Sequence, residues 1–539
     1  MIISSWIFSR WMALIYLIAF WSLGVQILGL IGSHGILPTG DFLHYIAQDQ
    51  GASRFWAAPT LCWVNNSDGF LLFLCWGGVA LSMLLLIGVW PALTAFLLWI
   101  FYMSLTVVGQ DFLGFQWDNL LLEAGFLLIF LVPHPFRIHL KPAVRPSIVI
   151  IWLFRWLLFR LMFESGMVKI LSGDTNWAHL TALTYHYWTQ PLPNMISWYA
   201  NQLPLWFQKL SCAILLGIEL FIPFLIFFGR WPRLIAFFGI TGLQLLIILT
   251  GNYCFFNLLA IGLCLTLLED EHFKFLGLEL PTPEYKNATL MPDVISSPAS
   301  SNESNLSSPK AFVGDPDKNI SLPLVGSPAA SAACRHQIWN SISSVREGGI
   351  IYLILTGLVA ALILIVSLGL MLDSFAHLPL PNPVEKLITA VSPLRSINNY
   401  GLFAVMTTQR DEIVLEGSND GEQWLPYEFY FKPGNVNFAP SWVMPYQPRL
   451  DWQMWFAALG SWRENQWLMV LMERLLQGEP SVTRLLSVNP FKDHPPQYIQ
   501  ATFWEYHFTD FKTKGPNGPW WHREIKGLYC PTVSLRAYN

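Results

Sequence analysis

FLLFLCWGGVALSMLLLIGVWPALTAFLLWIFYMSLTVVG, residues 70–109, decides the fold, because it passes without one Asp, Glu, Lys or Arg. A helix needs about 20 apolar residues to cross a bilayer. This run is therefore long enough for two crossings, 70–89 and 92–108, with the GVWP turn between them. Further spans are expected at 11–31, 118–133, 147–170, 205–228, 232–250, 254–268 and 350–372, about nine in all. The composition agrees. Of 539 residues 53% are hydrophobic and only 12% charged, about half the roughly 25% of a soluble globular chain. The 26 Trp suit side chains at membrane–water boundaries. With 31 Lys+Arg against 35 Asp+Glu there is no basic excess, so nucleic acid is not a partner. Seven Cys show neither CxxC nor zinc spacing, so no metal and no cofactor is expected. Pairing among Cys62, Cys254 and Cys530 stays open. The expected class is a polytopic α-helical membrane bundle.

Charge in the short loops gives an orientation. Arg10, Arg137, Lys141, Arg145, Arg230 and Arg233 fall on one side of the expected spans, and the opposite loops carry only Arg54. That predicts a cytoplasmic N-terminus, a first helix that is retained, and a C-terminal region on the lumenal or periplasmic side. The expected organisation is a membrane domain over 1–280, a disordered Ser/Pro/Asn-rich cytoplasmic linker over 281–345, a last transmembrane helix over 346–373 and a soluble domain over 374–539. The linker's N-x-S/T matches at Asn287, Asn302, Asn305 and Asn319 would then face the wrong side for glycosylation. In the tail, Glu412–Gly417 followed by the turn residues SNDG and the aromatic stretch 424–431 predicts strand–turn–strand. Stretches 452–459 and 467–476 read as amphipathic helices. The tail is expected to be mixed β/α and β-sandwich-like.

The span 147–170 is the least ordinary, since Arg155, Arg160, Glu164 and Lys169 lie in or near it. A charge at bilayer depth costs about 2.5–3.5 kcal/mol even on mild insertion scales, so each needs a partner or a polar cavity. Arg160 and Glu164, four apart, share a helix face and can pair. Lys169 sits about 140° round from Glu164 and needs another partner. Asp118, Glu123 and Glu219 add buried acids. One reading is a structural intramembrane polar network of Arg160, Glu164, Lys169, Asp118, Glu123 and Glu219. The other is a reactive cavity in which Lys169, Glu164 and His186 act on a lipid or protein. No G-x-S-x-G, H-E-x-x-H or P-loop pattern supports a standard catalytic class. In the tail, Trp424, Arg449, Asp451, Trp452 and Trp455 read either as a core with an Arg–Asp bridge or as a client-binding surface with aromatic and Arg anchors.

FQWDNLLLEAGFL (115–127), LFRLMFESGMVKILSGD (158–174), LTALTYHYWTQPLP (180–193), YGLFAVMT (400–407), EIVLEGSNDG (412–421), PYQPRLDWQMWFAAL (445–459) and VNPF (488–491) are motifs through which the chain resembles the lipase maturation factor family. The resemblance runs along nearly the whole sequence except 281–345. It implies an endoplasmic-reticulum membrane protein, or an inner (plasma) membrane protein in a bacterial host. It also implies a role in folding and assembly of secreted dimeric lipases, engaged as clients by the C-terminal region. A second, local likeness joins SGMVKILSGDTNW (165–177) to vitamin K-dependent γ-carboxylase-like membrane proteins, and implies a base at Lys169. The TYHYWTQPLP stretch departs from the carboxylase pattern. The preferred expectation is a membrane-anchored maturation factor with the bilayer and secreted lipases as partners; the alternative is a membrane enzyme.

Overall fold

The computed structural model describes residues 1–131, 138, 140–141, 145–277, 347–376 and 379–535. The described residues of 1–277 and 355–535 belong to one compact unit. The expected linker, with its four Asn motifs, lies outside the described residues.

Helix α1 is Ile2–Gly24, α2 Asp68–Ile87 and α3 Pro91–Val108. The first crossing was expected at 11–31 but starts nine residues earlier and ends at Gly24. Its early serines do not stop the helix, because hydroxyls such as Ser5 Oγ donate back to a carbonyl of the preceding turn, that of Ile2 at 3.1 Å. Arg10 therefore sits within α1 and donates to the Ile87 carbonyl, at the otherwise unpaired C-terminus of α2. The α2–α3 turn follows backbone chemistry: Gly88 takes φ +97° and Pro91 opens the next helix.

Next come α4 (Gln116–Ile129), α5 (Ile148–Leu171), a short α6 (Ala182–Thr189), α7 (Leu205–Leu220), α8 (Arg230–Thr250) and α9 (Phe256–Cys264). The last long helix, α10, is Glu347–Ala376. Among the described residues, six helical segments are long and apolar enough to cross a membrane: α1, α2, α3, α7 with its 3-10 extension to Phe227, α8, and α10 from Tyr352. The other three expected spans are helical but different in kind. With 14 residues, α4 is about 21 Å long and falls short of a 30 Å hydrocarbon core. Charges interrupt α5, and α9 is short.

Beyond α10 the chain makes the amphipathic α11 (Asn382–Val391), a 3-10 turn at Ser392–Leu394, and then runs without further helix or strand to β1 (Asp411–Ser418). The expected hairpin is present: β2 (Leu425–Pro426) pairs antiparallel with β1, Gly417 opposite Leu425. After β3 (Glu428–Phe429) come α12 (Arg449–Ala458) and α13 (Gln466–Leu476), close to the expected helices. The sequence reading omitted β4 (Leu486–Val488) and the long pair β5 (Tyr498–Phe508) and β6 (Trp521–Val533). The sheets are β2-β1-β5-β6, antiparallel throughout, and β3-β4.

One apolar core runs from Phe8 and Tyr16 in α1 through to Met472 and Cys530 in the tail. Trp117 of α4 meets Trp452 of α12 at 4.7 Å between centroids, and Phe112 meets Trp467 at 5.7 Å. The β-containing region thus packs into the helical one.

Candidate functional site

Two arrangements carry the polar chemistry: a set of buried ion pairs linking bundle to tail, and a cavity around Lys169.

The first is built on residues 396–410, which follow α11 and lie along the helices. Arg160 of α5 pairs with Glu123 of α4, and its second terminal nitrogen donates to the Asn398 carbonyl at 2.6 Å. Glu123 also accepts from the Tyr400 hydroxyl at 2.8 Å and the Asn398 amide at 3.0 Å. Glu164 does not pair with Arg160 through a hydrogen bond; its Oε2 accepts the Tyr400 backbone N–H at 2.6 Å. Helix spacing allowed the Arg160–Glu164 pair, but the planar guanidinium is already forked between Glu123 and a carbonyl. Further along, Asp174 accepts the Met406 N–H at 2.5 Å. Arg410, fully buried, donates to the carbonyls of Trp188, Gln190 and Pro191 and pairs with Glu412 at 2.7 Å.

Arg449 plays the equivalent part for α12. Its guanidinium makes a bidentate pair with Asp118, both bonds 2.9 Å, and donates to the Phe112 carbonyl at 2.6 Å. The Tyr102 hydroxyl donates to the same carboxylate at 2.5 Å. Asp451 binds the amides of Phe431 and Lys432 at 2.7 and 2.9 Å. Its burial pushes the carboxyl up to about 6. Trp452 is buried and Trp455 donates to the Thr189 carbonyl at 2.9 Å. Of the five residues expected at a client surface, only Trp424 is partly exposed. The other four are inside: Arg449, Asp451 and Trp455 bond groups of the bundle and the tail's own loops, and Trp452 packs its ring against Trp117. The Arg–Asp bridge expected between Arg449 and Asp451 is absent; each has a different partner.

The cavity, about 80 Å³, lies among α5, α6, α7, α8 and α9. Lys169 reaches Glu219 of α7 with both oxygens at 2.9–3.0 Å, and donates its third N–H to the Ser165 carbonyl at 2.9 Å. Glu219 is thus the partner that Lys169 required. His186 lines the same space, its Nε2 3.1 Å from the Tyr253 hydroxyl. Burial, with Lys169 nearby, pushes the imidazole down to about 4, so it is neutral at pH 7. Glu164 does not line this cavity. The expected group of Lys169, Glu164 and His186 is therefore split, with two members here and one bound to the tail. Sequence reading did not identify Gln244, Tyr253 and Asn257, which complete the lining. Their one signal was polarity inside apolar runs. Cys62, Cys254 and Cys530 are all free and buried. No group of three or more His, Cys, Asp and Glu able to hold a metal occurs among the described residues.

Comparison with known proteins gives two family matches: residues 3–275 fit the lipase maturation factor transmembrane domain, and 396–531 the lipase maturation factor C-terminal domain. The chain is 37% identical over 582 residues to lipase maturation factor 2 of Xenopus tropicalis, covering 97% of this chain and 81% of that one. It is 37% identical over 599 residues to the Homo sapiens protein of the same name, covering 98% and 82%. Against lipase maturation factor 1 of Mus musculus it is 31% identical over 551 residues, covering 98% and 86%. No solved structure matches.

Proposed function

The chain belongs to the lipase maturation factor family, and on that premise we propose that it is a membrane-anchored factor that brings secreted lipases to their active, assembled form. The observation that carries this reading is the continuous similarity to named maturation factors across both the bundle and the C-terminal region. The proposed site of action is the endoplasmic reticulum, with the N-terminus cytoplasmic and the C-terminal region lumenal, as the loop charges favour. Client contact is proposed on the C-terminal region. With Arg449, Asp451, Trp452 and Trp455 buried, the contact would fall to exposed aromatics such as Tyr430, Phe438 and Trp442. Tyr430 and Phe438 border a groove of about 170 Å³. Transient burial of a client's apolar surface there would hold it back from aggregation.

The test is complementation: secretion of active lipase from cells lacking their own factor. The unaltered chain should restore it, and Tyr430→Ser/Phe438→Ser/Trp442→Ser should reduce it severalfold without changing the level of the factor. Failure of the unaltered, correctly localised chain to restore any lipase would overturn the maturation reading. Full rescue by the triple variant would remove the client surface alone. The enzyme alternative has one observation in its favour, Lys169 and His186 in one cavity. Full rescue by Lys169→Arg and His186→Phe would dismiss it.

A further inference from the structure

The Lys169 cavity holds a buried hydrogen-bond acceptor that the protein itself leaves unmatched. All three ammonium protons of Lys169 are used, on Glu219 and the Ser165 carbonyl. The Asn257 amide donates to Gln244 Oε1 at 2.7 Å, and the Gln244 amide lies 3.7 Å from Met162 Sδ. Of the acceptors, one is left unmatched. Asn257 is 1% exposed, and its Oδ1 has no hydrogen-bond partner. The tautomer of His186 follows from its neighbours. Gln190 donates its amide protons to the carbonyls of Tyr187 and Thr250, at 3.2 and 2.7 Å, which makes its Oε1 an acceptor. The single proton of Tyr253 goes to that Oε1 at 3.0 Å. Tyr253 must then accept from His186 Nε2–H, and Nδ1 is left as the unprotonated nitrogen. A buried acceptor left unmatched is costly, so the occupant of this space has to donate.

We propose that the cavity binds an uncharged lipid bearing a free hydroxyl, taken from the bilayer, with the one hydroxyl proton donated to Asn257 Oδ1 or to His186 Nδ1. Charge decides against ionic ligands: Lys169 and Glu219 already balance, and a further charge would be buried without a counter-ion. The walls fit a hydrocarbon body, being formed by Leu161, Leu215, Ile247 and Phe256. The route that fits this occupant is from the bilayer past α7 and α8, the least covered of the long apolar helices, with 28% and 22% of their span windows buried. A volume of about 80 Å³ takes roughly five waters, enough for a hydroxylated head and not for a whole lipid. The chain of the lipid therefore leaves between helices. A partial glyceride and a sterol share this chemistry. The inference rests on the cavity and not on client maturation.

The experiment uses the full-length protein in phosphatidylcholine nanodiscs with radiolabelled 1-monooleoylglycerol and, in a separate arm, radiolabelled cholesterol. Saturable binding of about one equivalent of either is expected, and the arm that saturates names the source. The dimethyl ether of monooleoylglycerol, or the methyl ether of cholesterol, should compete at least tenfold more weakly, and oleate should not compete. Asn257→Leu and His186→Phe should each weaken binding about tenfold or more while lipase rescue is scored separately. Absence of saturable binding in both arms, an ether that competes as well as its parent, or unchanged binding in both folded variants would overturn the proposal. If either variant fails to fold, the ether comparison on the unaltered protein still decides.

Discussion

At the scale of single residues, several buried charges of this protein bond groups far away in the sequence, Arg449 to Asp118 and Glu164 to the Tyr400 amide among them. Removing one member leaves the other buried and unpaired, which costs about 3–5 kcal/mol. Asp118→Ala is therefore expected to strand Arg449 and sharply lower the thermal midpoint of the purified protein. Asp118→Leu/Arg449→Met should recover a large part of that loss, because an apolar pair of similar volume carries no desolvation penalty. Additive losses in this double-variant cycle would show that the bond is not what joins the two residues energetically. His186 makes a pH prediction. Its folded value of about 4 lies below the ordinary 6.5, so between these values the unfolded chain binds a proton that the folded chain does not. Its contribution is full above pH 6.5 and is lost on acidification towards pH 4, by roughly 3 kcal/mol at most. Melting curves from pH 7.5 to 4.5 should fall more steeply for the unaltered chain than for His186→Phe. Equal slopes would contradict the buried, neutral imidazole. Neither these partners nor the tautomer was legible from local spacing: helix periodicity says which residues share a face, not which distant group faces them.

At the scale of elements, close packing of α1 is what sets the bundle. Gly125 of α4 lies against the Tyr16 hydroxyl, so that a Cβ there would overlap it. Gly125→Ala should abolish a monodisperse peak in size-exclusion chromatography, and Tyr16→Phe in the same chain should restore part of it. Recovery failing altogether would mean that the hydroxyl is not the obstacle. The run 70–109 gave α2 and α3 almost to the residue because a pure apolar run with a Gly–Pro turn has one reading. By contrast β5 and β6 were missed. On its other side β5 pairs with β1, far back in the chain, the faces of both strands mix aromatics with charge, and β6 is exposed at every position from His522 to Leu528, so no clean period-two alternation marks it.

At the scale of the whole molecule, bundle and C-terminal region are one folded body. A chain ending at residue 376 would lose the C-terminal partners of Asp118, Glu123, Glu164 and Asp174 together. It is expected to aggregate or be degraded, measured as loss of the monodisperse peak and of steady-state level. A stable, correctly inserted truncated bundle would contradict this account. Loss of lipase rescue on such a deletion would consequently report collapse of the fold rather than removal of a client surface, which is why point variants at exposed aromatics are the sharper probe.

The sequence by itself determined that this chain enters a membrane, where its principal helices lie, and which family it resembles. Apolar runs and turn residues act locally, and long motifs are specific. Only the tertiary structure decided what the charged residues do. Arg449 and Trp452 read as surface anchors or core with equal force until Asp118 and Trp117 were seen against them. Burial and pairing depend on what the rest of the chain brings alongside, and one-dimensional spacing carries no record of that.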